Sequence, residues 1–291
     1  MIHKINYFIT RIFDVILYPF GFINEFWGIL FLSLLMSIVV LYIYKFVSSP
    51  NAIKDTKNKI KANILAIRIY KDFWKIILSS FFKSLYYVLK YFTLNFGPVL
   101  LIIPILFPAF VQMDVRYGMR PFKVGEDIIV KAAFTTNPNE LSVALEGNDF
   151  LKSKMNPVFI NAFIDDDENG ENGEDTEKTP IREVNWKVEA LKDGVTDITI
   201  KVDGQEYKKK LVIGNSRDAL SNKKMNKSSW EHFIYPSEKL LPENGAVENI
   251  YIQYPGKNIS FAGITTHWLV YNLILVLIIV LALRKRFGVE F

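Results

Sequence analysis

The residues with the clearest chemical potential form an acidic run at 165–175, Asp-Asp-Asp-Glu-Asn-Gly-Glu-Asn-Gly-Glu-Asp. Asp165, Asp167 and Asn169 fall at positions one, three and five of a helix-loop-helix calcium loop, Gly170 at six, and Glu171 offers a backbone carbonyl at seven. The twelfth position, which needs a bidentate glutamate, is Thr176; Glu177 comes one residue late, and no apolar helices flank the run. A solvated acidic loop explains this composition better than a calcium site, so no metal and no cofactor is expected.

Other catalytic constellations lack their parts. The three histidines, His3, His232 and His267, lie in three different regions, and there is no cysteine to supply a disulfide or a thiolate ligand. Neither common glycine-rich phosphate loop occurs. The chain is therefore read as a non-enzyme. Asn226-Lys227-Ser228 and Asn258-Ile259-Ser260 match the glycosylation acceptor pattern, as chance would also produce in a chain this rich in Asn and Ser.

The remaining candidates are polar residues inside or beside long apolar windows: Ser33, Ser37, Asn95, Gln112 and Asn272. None is charged, which disfavours a proton relay or an ion-coupled transporter. They suit close helix packing, where small and polar side chains let two helices approach and hydrogen-bond.

Three windows, 27–46, 92–113 and 264–283, are each about 20 residues long, enough for a helix to cross a hydrocarbon core of roughly 30 Å. Trp27, Tyr42, Tyr44 and Lys45 supply interfacial anchors to the first. The second contains Pro98, Pro104 and Pro108, each of which removes a helix donor and predicts a kink. Before the first window, residues 4–18 place Ile5, Phe8, Ile9, Ile12, Phe13, Ile16 and Leu17 on one helical face, and Pro19 and Gly21 interrupt the pattern. Residues 1–26 therefore read as an amphipathic helix lying on the bilayer, or packed on the other spans.

Residues 47–91 join the first two windows as a basic helical segment or hairpin. Across 45–90 ten Lys or Arg face only two acids, Asp55 and Asp72. Lys54, Lys57, Lys61, Arg68, Lys71 and Lys75 are the candidates for contact with a partner. Ile53, Ile60, Ile64, Ile67, Trp74, Ile77, Phe81 and Leu85 recur at helical, coiled-coil-like spacings. Positive charge beside a span places the segment in the cytoplasm, where anionic lipid headgroups attract it and no specific nucleic acid is needed to explain it. Arg284, Lys285 and Arg286 in the tail, 284–291, put the C-terminus on the same side and the N-terminus outside. The chain is expected in a bacterial cytoplasmic membrane, with the lipid bilayer as its first partner.

Residues 114–263 are polar and net acidic, and they alternate with the period of strands. Runs at 184–191, 198–202 and 207–213, separated by Lys192-Asp193-Gly194 and Asp203-Gly204, predict a three-stranded meander. Further runs lie at 128–134, 141–145, 158–164 and 249–254. About seven short strands predict an extracytoplasmic all-β immunoglobulin-like sandwich without its disulfide. The overall fold class is thus a membrane α-helical core of three transmembrane helices, an interfacial helix and a cytoplasmic helical segment, joined to that sandwich.

This layout resembles the Oxa/YidC superfamily, especially its three-span archaeal and endoplasmic-reticulum members, through residues 13–20, 27–46, 52–90 and 92–112. The resemblance implies a membrane-protein insertase or intramembrane chaperone, in which a polar groove between spans and the cytoplasmic segment receive hydrophobic membrane-protein clients. The windows themselves hold no arginine, which bacterial members carry in the groove, and the large β domain is an addition to the layout. Tyr117-Gly118, Arg120-Pro121, Gly125-Glu126 and residues 284–289 also look like a bacterial membrane-protein family whose activity is not established. A second expectation, of a different class, is an anchored binding or structural protein whose β domain recruits an extracytoplasmic protein partner.

Overall fold

The structure, a computed structural model, describes residues 2–165, 178–215, 218–227, 230–236 and 238–289. In chain order the elements are α1 (Ile2–Leu17), α2 (Glu25–Val47), α3 (Pro50–Ile69), α4 (Trp74–Met113), β1 (Asp127–Phe134), β2 (Val143–Leu145), β3 (Leu151–Ser153), β4 (Val158–Asp165), β5 (Lys178–Ala190), β6 (Gly194–Val202), β7 (Gln205–Ile213), β8 (Lys223–Met225), β9 (Val247–Ile252), β10 (Asn258–Phe261), β11 (Ile264–His267) and α5 (Trp268–Phe287). They form two compact units, Met1–Phe22 with Val111–Ile259, and Ile23–Phe110 with Ser260–Phe291.

The second unit is helical. Three of its helices, α2, α4 and α5, are long and apolar enough to cross a membrane. Asn24 caps α2 by accepting the Phe26 N–H at 2.9 Å. Ser48, Ser49 and Pro50 end α2 and begin α3, because proline suits the first helical turn, where its missing N–H has no partner to lose. At the third apolar helix the boundary differs from the expected 264–283. Residues 264–267 form β11, paired with β10, and His267 caps α5 through Nδ1, which accepts the Leu269 N–H at 3.3 Å. The helix closes on Gly288, left-handed at φ +67°, beside the basic turn of Arg284, Lys285 and Arg286.

The middle of this unit is a helical hairpin rather than a separate segment followed by a span. Helix α4 runs for 40 residues without interruption, about 60 Å at 1.5 Å per residue, and stays helical through all three prolines. Its first half returns along α3 as an arm. Ile53, Thr56, Ile60, Asn63 and Ile67 on α3, and Ile77, Ser80, Ser84, Tyr87 and Tyr91 on α4, are among the positions withdrawn from solvent, and each set is spaced alternately three and four apart. Lys57 Nζ lies 5.5 Å from the Tyr91 ring and Lys59 Nζ 5.6 Å from the Tyr87 ring, which fixes the antiparallel register.

The first unit carries the two larger sheets, both antiparallel. One six-stranded sheet has the order β3-β5-β1-β9-β8, with β4 also pairing β5, and one three-stranded sheet has the order β2-β6-β7. Alternation along β1 sends Ile128, Val130, Ala132 and Phe134 inward, and a single core joins them to Trp186 and Val188 of β5, Ile198 and Ile200 of β6, Tyr207 and Leu211 of β7 and Ile250 and Ile252 of β9. Each predicted strand run is found. The meander is not: β5 pairs β1, β3 and β4, whereas β6 and β7 belong to the other sheet. After β5 the chain therefore changes sheets, so alternation alone could not reveal the pairing. The β6–β7 hairpin does turn at Asp203-Gly204, at φ +48° and +83°, the two positive values a type I′ turn requires.

Candidate functional site

The five polar candidates do not converge; they fall into three clusters. Ser33, Ser37 and Asn272 are fully buried where α2 packs on α5, with Asn272 Nδ2 donating to Ser33 Oγ at 2.9 Å and Ser37 Oγ donating to the Ser33 carbonyl at 2.6 Å. Small side chains at Ser33 and Ser37 allow that close approach. Asn95 forms a second cluster: its side-chain carbonyl accepts the Tyr44 hydroxyl, and its Nδ2 donates to the Tyr91 carbonyl at 2.7 Å. Ser33, Ser37 and Asn272 are closed to solvent, whereas Asn95 is half-buried.

Gln112 belongs to the first unit and to a denser network. Its Nε2 donates to Thr10 Oγ1 at 3.0 Å, and its carbonyl and Oε1 accept from the Arg116 guanidinium at 2.9 and 2.6 Å. Arg116 also donates to the Thr10 carbonyl at 3.2 Å, pairs with the Asp14 carboxylate, and lies 5.9 Å from the Phe13 ring centroid. Its side chain is 8% exposed. Sequence reading passes over Arg116 because it lies beyond the apolar window, in a π-helical turn, Asp114–Gly118, that prolongs α4. The available signal is its spacing of four from Gln112, matched by Asn6, Thr10 and Asp14 at spacings of four along α1.

The basic candidates lie on the arm. Lys54, Lys57, Lys61 and Arg68 recur at spacings of three, four and seven and so share one side of α3; Lys71 falls in the turn and Lys75 in the first turn of α4, its Nζ 5.9 Å from the Trp74 ring. All but half-buried Lys57 are exposed. Lys59 is on the other side, paired with Asp55 at 2.7 Å.

Of the apolar residues expected to pack the hairpin, only Ile53, Ile60, Ile67 and Ile77 turn inward, while Ile64, Trp74, Phe81 and Leu85 turn outward. The outward set on α4 continues as Trp74, Leu78, Phe81, Phe82, Leu85, Leu89, Phe92, Phe96 and Leu100, each more than two-fifths exposed. At 100° per residue these positions fall within one side of the helix about a third of its circumference wide. The stripe carries no charge and runs from the tip of the arm into the apolar half of α4. By the geometry of an antiparallel pair, with Lys59 against Tyr87 marking one edge of the hairpin, this stripe and the Lys54-Lys57-Lys61-Arg68 side of α3 share its opposite broad face.

The β unit has its own features. A cavity of about 270 Å³ opens between edge strands β2 and β3, lined by Val143, Leu145, Glu146, Leu151, Trp186 and Val188 among others. Lys209 is fully buried, donating to the Ser221 carbonyl at 2.7 Å and paired with Glu238; loss of hydration pushes its pKa down, against the pull of Glu238. Arg120 forms two hydrogen bonds to Glu126, at 2.9 and 2.8 Å, and holds that carboxyl below its usual range. Asp165 ends β4; Asp167, Asn169 and Glu171 lie outside the described residues, and no group able to hold a metal occurs among those described. Asn226 is buried at 3% exposure, which closes its amide to modification in the folded state, whereas Asn258 is exposed. Compared with protein-family profiles, with characterised proteins and with solved structures, the chain shows no significant match.

Proposed function

We propose that the chain is an integral membrane protein that acts, without enzymatic chemistry, as an insertase-like chaperone for hydrophobic membrane-protein segments. In this reading α2, α4 and α5 are the spans and the α3–α4 hairpin is a short antiparallel coiled coil in the cytoplasm. The β unit is an immunoglobulin-like sandwich on the outer side of a bacterial cytoplasmic membrane. The positive-inside bias of residues 45–90 and 284–286 supports that orientation.

The observation that carries the reading is the uncharged apolar stripe of α4, exposed from Trp74 onward and continuous with the apolar half of the same helix. Fully burying one such aromatic or leucine side chain is worth about 1.5–3 kcal/mol, so a stripe of this length is costly in water unless something covers it. A client helix sliding along it would pass from the cytoplasm into the bilayer without losing apolar contact. The cations beside it on α3 favour clients with acidic or uncharged flanks over basic ones. This path is the outer face of α4 and not a polar groove lined by Ser33, Ser37 and Asn272.

The test is site-specific photo-crosslinking from Phe82 and Leu85 in the full-length protein during synthesis of short-tailed membrane proteins, with insertion measured after depletion. Crosslinks to nascent apolar segments, lost when Leu78, Phe82, Leu85 and Leu89 are changed to serine, are expected. Crosslinks to lipid alone, together with unchanged insertion of every client class, would refute the proposal.

The cavity between edge strands β2 and β3 favours a second reading, in which the β unit recruits an envelope partner and the helices anchor it. An extended partner segment could add to the free edge of β2 and place an apolar side chain against Trp186. Crosslinking from Ser153 to a protein partner, with no crosslinks from Leu85, would favour this reading over the first.

A further inference from the structure

Helix α1 is amphipathic in the sense opposite to that of a helix on a soluble domain. Its polar residues face the protein: Asn6 is 3% exposed and donates to the His232 carbonyl, Thr10 is 9% exposed, and Asp14 is held by Arg116. Its apolar residues face away: Ile5, Phe8, Ile12 and Val15, on the side opposite Thr10, are 44, 67, 39 and 75% exposed, and Tyr18 and Phe22 beyond the helix are 71% exposed each. Leu17, which the sequence groups with them, is buried. The polar side is consumed by a network built around the buried guanidinium of Arg116, so the roll of the helix is fixed. The outward apolar stripe is thus a specified surface and not an accident of a loosely held segment.

We infer that this stripe is a lipid-binding foot of the β unit, seated in the interfacial layer of a bilayer and turned toward it by Arg116. The inference rests on the reading of α2 as a span. Three observations select lipid over a second copy of the chain or another protein. The stripe contains no acidic side chain, and beside it lie Arg11, Tyr7, Tyr18 and Phe22, the cationic and aromatic residues that settle at headgroup depth. Only seven residues separate Leu17 from Glu25, the first residue of α2, so even a fully extended connection keeps the end of α1 within about 30 Å of that helix. The stripe is also unbroken over about three turns of the helix, the shape of a helix lying flat on an interface rather than of a compact protein contact.

The chain has no native cysteine, so single-cysteine spin labels can be placed one at a time in the full-length protein in phosphatidylcholine–phosphatidylglycerol nanodiscs. Labels at Phe8→Cys and Val15→Cys are compared with Lys131→Cys on β1 and Leu277→Cys on α5. Collision with oxygen relative to a water-soluble nickel chelate should be several-fold higher at positions 8 and 15 than at 131. A nickel preference at 8 and 15 would mean that the stripe faces water, and low collision with both agents would mean that protein covers it; either overturns the inference. If position 277 is oxygen-accessible while 8 and 15 are not, the foot alone fails; if 277 also prefers nickel, the membrane reading fails with it.

Discussion

Replacing Arg116 with methionine should free α1 from the β unit without unfolding either. Across to α1 the guanidinium donates to the Thr10 carbonyl and to Asp14, and it lies beside Phe13. A hydrogen bond from a charged donor is worth about 1.5–3 kcal/mol, and the Phe13 contact adds about 0.5–1 kcal/mol. The Asp14 bond must be discounted, because that carboxylate is 42% exposed and recovers water when its partner leaves. The Thr10 carbonyl and Gln112 Oε1, both largely buried, do not recover it as well. A net loss of about 2 kcal/mol follows, and with tenfold per 1.4 kcal/mol the amides of α1 should exchange hydrogen about 30-fold faster in the full-length protein. Asp14→Asn, which leaves the guanidinium its carbonyl partners, should give a smaller acceleration. Mass-resolved exchange on the variant in nanodiscs reads this directly. Unchanged exchange in α1, or an equal acceleration in β1 and β5, would refute the argument that Arg116 acts as a local clamp.

Other outcomes follow from the β unit. Lys209→Met should leave the midpoint of thermal unfolding unchanged or raise it, since it removes a buried charge, whereas Glu238→Gln, which strands Lys209, should cost about 3 kcal/mol in denaturant titration. Glu126 has a folded pKa below its unfolded value because of Arg120, so its stabilisation is present above the unfolded carboxylate range and is lost as pH falls through the lower folded value. Unfolding midpoints measured below about pH 4.5 should therefore fall less steeply in Glu126→Gln than in the unaltered chain. Gly245→Ala would place a methyl group 2.5 Å from the Tyr207 hydroxyl, which is held between the Gln205 side chain and the Ala246 N–H; a loss of about 1–3 kcal/mol is expected from the forced shift.

How far the fold was legible depended on whether its signal was local. The turn at Asp203-Gly204 and the break at Ser48-Ser49-Pro50 could be read because each follows from the backbone preferences of two or three adjacent residues. Individual strands could be read from alternation, but their distribution between two sheets could not, since β5 and β6 alternate equally well in either arrangement. Trp74, Phe81 and Leu85 share the helical spacing of Ile60 and Ile67, and periodicity cannot say which of two apolar sides on α4 meets α3. The side withdrawn from solvent is the one with Ser80 and Ser84.

The sequence by itself determined the apolarity of the three long windows, the concentration of cations between the first two and the strand-forming stretches. These are properties of composition and short-range spacing. Tertiary structure alone decided that the polar candidates divide among three clusters and that α4 turns an uncharged apolar stripe outward. It alone decided, too, that α1 turns its polar residues toward Arg116, more than a hundred residues away, and its apolar residues out. The reason is the same each time: a helical period defines a face, but only the partner on the other side decides whether that face lies inside or outside.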